Sequence, residues 1–144
     1  MIFVNGAWGK LLADARIVRT RRKIQAAIAN ARATADMHAA GEALADLVWA
    51  HRPPNRPAAR SWAEVATSTP GSAALARELK RRGFRFVGPT TCYAAMQSLG
   101  VVNDHIVGCV ARTASERERT ALERPVMREG AAPPTSGRRR TRGR

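Results

Sequence analysis

Apolar residues recur at helical steps along most of this chain. From Thr20 onward, RRKIQAAIANARATADMHAA places Ile24, Ala27, Ile28, Ala31 and Ala35 on one face at steps of three and four. Its alanine content predicts a long helix, and Gly41 supplies the stop. A shorter amphipathic piece, ALADLVWAH, groups Leu44, Leu47 and Val48 before Pro53, Pro54 and Pro57 force an irregular connection to about Arg60. Ser68 or Thr69 then caps a helix with Pro70 near its first turn; it runs through AALARELKRR, buries Leu75 and Leu79, and ends at Gly83. Gly88-Pro89-Thr90 opens another, TTCYAAMQSL, which ends at Gly100, and Asn103 caps a last short helix carrying DHIVGC. The longest period-two stretch is FRFV, and no internal repeat is visible. The predicted class is all-α, with short helices joined by tight glycine-marked turns.

Length sets the scale of the core. The chain has 144 residues, enough for one domain, and its 44% apolar content allows a modest interior. No uninterrupted apolar run approaches the ~18 residues of a membrane span, and the start MIFVNGAWGK has none of the marks of a signal peptide. Two cysteines exclude a multi-bridge disulfide framework, so the expected setting is reducing and cytoplasmic.

Charge changes the picture more. With 25 Lys+Arg against 11 Asp+Glu the formal net charge is +14. Residues 112–144 hold ten Arg and four Glu, and the stretch REGAAPPTSGRRRTRGR offers almost nothing to bury. Residues 111–144 therefore read as a disordered Arg-rich tail. The remaining fifteen basic and seven acidic residues leave a net +8 without the tail, which points to a polyanionic partner such as nucleic acid.

Three groups of residues could carry chemistry. In RRGFRFVG, residues 81–88, Gly83 can take a positive φ and Gly88 lets the backbone approach a ligand ahead of the next helix. The free N–H groups of that helix start, including Thr90, could hold a phosphate, with Arg81, Arg82 and Arg85 as counter-charges. Phe84, with Val87 or Phe86, would plug the hairpin into the core; an ordinary helix–helix turn with an apolar clasp fits the same residues. His105 and Cys109 lie four apart, a spacing that serves either two ligands of one zinc ion or plain packing. Arg16, Arg19, Arg21, Arg22 and Lys23 crowd the start of the long helix, where a bound phosphate could offset their unfavourable dipole interaction. No nucleophile–base–carboxylate set is visible. Glu42, Asp46, Glu64, Glu78 and Asp104 read as surface or caps, and Cys92, Trp49 and Trp62 as core.

The strings LLADARIVRTRRKIQAAIANARA and TSTPGSAALARELKRRGFRFVGPTTCYAAMQSLGVVNDHIVGC closely resemble the second half of the DNA-3-methyladenine glycosylase I family, over roughly residues 10–110. The resemblance implies a helix-hairpin-helix glycosylase fold over 11–110, after an unmatched segment 1–10. It also implies hydrolytic excision of 3-methyladenine from alkylated double-stranded DNA in base excision repair. By the same resemblance, Arg81, Arg82, Gly83, Arg85, Gly88 and Thr90 belong to the DNA-gripping hairpin. His105 and Cys109 match two of the four ligands of a structural zinc, leaving a partial site. The family's other two ligands and its pocket carboxylate come from an N-terminal part with no match here, so no catalytic residue is assigned. The expectation is a family member truncated at its N-terminus, binding DNA weakly and excising little as this chain alone. A non-enzymatic helix-hairpin-helix DNA-binding module and a vestigial fragment are the alternatives.

Overall fold

The computed structural model describes residues 7–122, and every regular element among them is helical. In chain order these are α1 (Ala7–Ala13), α2 (Arg21–Ala39), α3 (Leu44–Ala50), a 3₁₀ turn at Trp62–Glu64, α4 (Pro70–Arg81), α5 (Pro89–Ser98) and α6 (Arg112–Ala121). No helix among the described residues is long and apolar enough to cross a membrane.

Several elements depart from the sequence expectation, beginning with α1 and the 3₁₀ turn, which the apolar spacing does not predict. Residues 103–109 form a loop, not a helix, with Gly108 at φ +84°. The final helix comes later, as α6, inside the stretch expected to be tail from residue 111. Its sequence RTASERERTA has little to bury, so polar contacts hold it in place. Arg119, only 7% exposed, donates to Asn55 Oδ1 at 2.9 Å, and Asn103 Nδ2 donates to Glu116 Oε2 at 2.9 Å. The rest of the predicted tail, 123–144, lies outside the described residues, as do residues 1–6.

The core is built where the helices converge. Leu47, Val48 and Trp49 of α3 meet Leu75, Ala76 and Leu79 of α4 and Cys92, Tyr93 and Met96 of α5, with Phe84, Val101 and Val102 from the connections. Trp62 is 76% exposed, so of the two tryptophans read as core only Trp49 is. The buried stripe of α2 matches the expected one only in part: Ile24 is buried and Ile28 half-buried, but the alanines that go inside are not the expected ones. Ala26, Ala33 and Met37 are buried and Asn30 is half-buried between them, whereas Ala27, Ala31 and Ala35 are exposed. Alanine contributes so little buried area that its spacing does not decide the face; Met37 and Asn30 do.

Glycine ends three helices in the same way. After α2, α4 and α5 the residues Gly41, Gly83 and Gly100 take φ of +77°, +90° and +69°. Each is followed by an N–H that reaches back to the helix: Glu42 to the Met37 carbonyl at 2.9 Å, Phe84 to Leu79 at 3.0 Å, Val101 to Met96 at 2.9 Å. This Schellman closure satisfies carbonyls that would otherwise be orphaned, and in α4 and α5 it buries the apolar residue that follows. At the other end of α4, Thr69 is the N-cap. Its Oγ1 accepts from the Ser72 N–H at 3.1 Å, and the Thr69 N–H donates to Ser72 Oγ at 2.9 Å.

Gly71 packs against α3. The His51 ring is buried and its Nδ1–H donates to the Leu47 carbonyl at 2.8 Å, while a Cβ on Gly71 would sit 2.7 Å from the His51 carbonyl oxygen. Helix propensity alone would make Gly71→Ala stabilising; the clash with a fixed backbone atom reverses the sign. We expect the variant to lose about 1–3 kcal/mol in denaturant titration.

Candidate nucleic-acid interface

The turn between α4 and α5, residues 82–88, is shaped from both sides. Inside, Phe84 is buried and Val87 is partly buried against the same core. Outside, the Asn30 carboxamide of α2 grips the backbone of Arg85 in both directions: the Arg85 N–H donates to Oδ1 at 2.8 Å and Nδ2 donates to the Arg85 carbonyl at 3.1 Å. The next residue, Phe86, adopts φ +58°, the sole positive φ at a non-glycine position among the described residues. For a bulky side chain this left-handed conformation costs on the order of 1–2 kcal/mol. The residue is 58% exposed, so Val87 and not Phe86 joins Phe84 in anchoring the hairpin. Gly88 follows at φ −90° as the N-cap of α5, where no side chain caps the first turn. Pro89 stands at the first helical position and the exposed Thr90 follows it. The backbone approach expected at Gly88 is open space, with no protein atom within 4 Å of a Cβ built there.

The three arginines of the hairpin do not do the same thing. Arg82 is mostly buried and holds two carboxylates: its Nε donates to Glu78 Oε1 at 2.6 Å and its Nη1 pairs with Glu42. Arg81 donates to both oxygens of Glu78, at 2.6 and 2.9 Å, while remaining 65% exposed. Arg85 is exposed. Glu78, expected at the surface, is therefore a buried keystone for two arginines. Hydrogen bonding from Arg81, with help from Arg82 and against the cost of burial, pulls its carboxyl down to about 2. The basic start of α2 lies about two turns ahead of Asn30 on the same helix. Arg22 and Lys23 are exposed in its first turn, about 10 Å along the axis from Asn30, and Arg16 pairs with Asp14 just before the helix.

The predicted metal pair also comes together, on a loop. His105 Nδ1 and Cys109 Sγ lie 3.3 Å apart. Two such ligands on a tetrahedral zinc would be separated by about 3.5 Å, so the pair fits two corners of that geometry. Among the described residues no group of three or more His, Cys, Asp and Glu could hold a metal ion. The loop is pinned by a network the sequence did not announce. Tyr93, 1% exposed, donates to Asp104 Oδ2 at 2.5 Å and accepts from Arg56 at 2.8 Å, and Gln97 Nε2 donates to the same carboxylate oxygen at 2.9 Å. Burial foremost, and then the Asp104 carboxylate, push the Tyr93 phenol up to about 12. Asp104 is thus a structural anchor, not a surface cap. Cys92 is buried, as expected, and burial pushes its thiol up.

Comparison with known proteins gives this geometry a context. The methyladenine glycosylase family model matches residues 3–113, so the match starts ahead of Leu11 and takes in most of the segment read as unmatched. Over 102 residues the chain is 50% identical to DNA-3-methyladenine glycosylase 1 of Escherichia coli (strain K12), covering 69% of this chain and 54% of that protein. It is 43% identical to DNA-3-methyladenine glycosylase of Haemophilus influenzae, again over 54% of that protein. The chain spans about half the length of the curated relatives it matches. A crystal structure of 3-methyladenine DNA glycosylase I superposes with a TM-score of 0.70 at 50% identity, covering 73% of this chain and 59% of that one. At 20% identity, a single-substitution variant of 3-methyladenine DNA glycosylase I in complex with 3-methyladenine shares the fold, with a TM-score of 0.71 over 77% and 61% of the two chains.

The Glu78 keystone makes stability pH-dependent. Its folded value lies below that of a free carboxylate, so its contribution is complete above about pH 5 and is lost as pH falls toward 2. The size is about 3 kcal/mol. Glu78→Gln should lose stability at pH 7 and show a shallower decline between pH 5 and 2, read from urea melts at a series of pH values.

Proposed function

Because the chain belongs to the methyladenine glycosylase family, we propose that it serves DNA-3-methyladenine glycosylase activity, hydrolysing the N-glycosidic bond of 3-methyladenine in alkylated DNA. The observation that carries this reading is the hairpin of residues 82–88, locked by Asn30 and opening on the uncapped start of α5. In this reading α4, the hairpin and α5 act as a helix-hairpin-helix grip on double-stranded DNA. A backbone phosphate takes the free N–H groups at the start of α5, Thr90 among them, and Arg85 supplies the exposed counter-charge. Gly83 and Gly88 shape the turn. Arg81 contributes from its exposed end, whereas Arg82 works from within, holding α4 to Glu42.

The chemistry asks for grip more than for acid–base help. An enzyme acting on a damaged base must draw the nucleotide from the stack, at a cost of a few kcal/mol. 3-Methyladenine is cationic as a nucleoside and leaves readily, so catalysis rests mostly on binding the base and stabilising the sugar cation in the right geometry. A zinc ion held by His105 and Cys109, completed by further ligands, would lock loop 103–109 and thereby the end of α5. A cytoplasmic, reducing setting belongs to the same reading, since Cys109 must stay a thiol or thiolate to serve as a zinc ligand.

A second reading, a DNA-binding module without excision, is favoured by the state of the carboxylates. Glu42, Glu78, Asp104 and Glu116 are each held by arginine. Incubating the protein with alkylated duplex separates the two. Base release above buffer supports the glycosylase, whereas binding without release supports the module. In both, Arg85→Ala should weaken duplex binding and lower the slope of log K against log salt by about one. Failure of the protein to bind duplex DNA would sink both readings. For the metal, titration with Co²⁺ should give a thiolate-to-cobalt charge-transfer band that Cys109→Ser abolishes; an unchanged band would show that the cobalt sits elsewhere.

A further inference from the structure

Phe86 combines two features that packing does not explain. It holds a backbone conformation that favours glycine, and as a large apolar residue it is 58% exposed. A residue strained for the sake of the core would bury its side chain; here Phe84 and Val87, on either side, already do that. A residue strained by accident would relax, but Arg85, one position earlier, is fixed at both its N–H and its carbonyl by Asn30. The strain is therefore maintained by the surrounding structure and delivers an aromatic ring to the tip of a basic hairpin.

We propose that Phe86 is a nucleic-acid contact, its ring seated on a sugar or base face beside the phosphate taken by Arg85 and the start of α5. This rests on the DNA-binding reading above and adds to it an apolar, charge-independent component. Aromatic contacts of this kind are tolerant of sequence because every base offers a π face. Ring contact and phosphate contact separate cleanly by salt: the first changes affinity without changing the number of counterions released, whereas the second changes both. Asn30 then acts as a positioning residue, setting where the ring points without touching the DNA.

The test is fluorescence anisotropy of a labelled duplex over a range of salt concentrations, with the full chain and the variants Phe86→Gly, Phe86→Leu and Arg85→Ala. Phe86→Gly should melt no lower than the parent, since glycine accepts the turn's φ freely, yet bind duplex about tenfold more weakly with an unchanged salt slope. Phe86→Leu, which keeps bulk but loses the π face, should fall between the two. Arg85→Ala should reduce the slope. If Phe86→Gly and Phe86→Leu bind like the parent while Arg85→Ala is weakened, the ring contact is wrong and the DNA-binding reading stands. If the parent itself fails to bind, the DNA-binding reading fails and takes the ring contact with it.

Discussion

A turn with no ladder of its own hydrogen bonds must be given its shape by its neighbours. Between α4 and α5 that work is divided between the Phe84 ring, buried from below, and the Asn30 carboxamide, bonded to both polar groups of the Arg85 backbone from α2. Either alone would leave a degree of freedom: the ring fixes depth, the amide fixes rotation. Together they tie residues 55 apart in sequence and set the direction in which α5 begins. The orientation of the uncapped α5 start, the exposure of Arg85 and the strained placement of Phe86 all follow from this one constraint.

The ion pairs around Glu78 show how a basic protein divides its charge between two uses. Arg81 and Arg82 between them balance Glu78 and Glu42, while Arg85, three residues after Arg82, stays on the solvent side. A count of arginines in RRGFRFVG overstates the charge available to a partner, because the buried share is consumed holding α4 in place. This division also coincides with the end of the helix. Gly83 takes the left-handed turn directly after the two paired arginines, so the chain changes direction at the boundary between internal and external charge.

Much of the fold was legible from the residues. The glycine stops at 41, 83 and 100, the cap before Pro70 and the apolar steps of α4 and α5 all carry local causes, and local causes can be read locally. The stripe of α2 was legible at Ile24 but not beyond it, because alanines mark several faces equally; the informative residue was the polar Asn30, whose partner lies far along the chain. Asp104 and Glu78 look like surface groups for the same reason, since Tyr93, Arg56 and the two arginines that engage them are brought near only by tertiary structure. His105 and Cys109 do meet, although on a loop and not on the helix that their spacing suggested. The family resemblance named the hairpin, but nothing in the letters decided whether Phe86 or Val87 joins Phe84 in the core, because exposure and φ are properties of the folded chain.

α6 carries one practical lesson about boundaries. The family match stops at residue 113, near the start of a helix that continues to Ala121. Arg119 reaches from that helix into the proline-rich segment at Asn55, so the extra turns brace a region well inside the matched part. Cutting the gene at the family's edge would remove the brace along with the apparent appendage, and a shortened protein that misbehaved would report on a lost strut rather than on the ancestral fold.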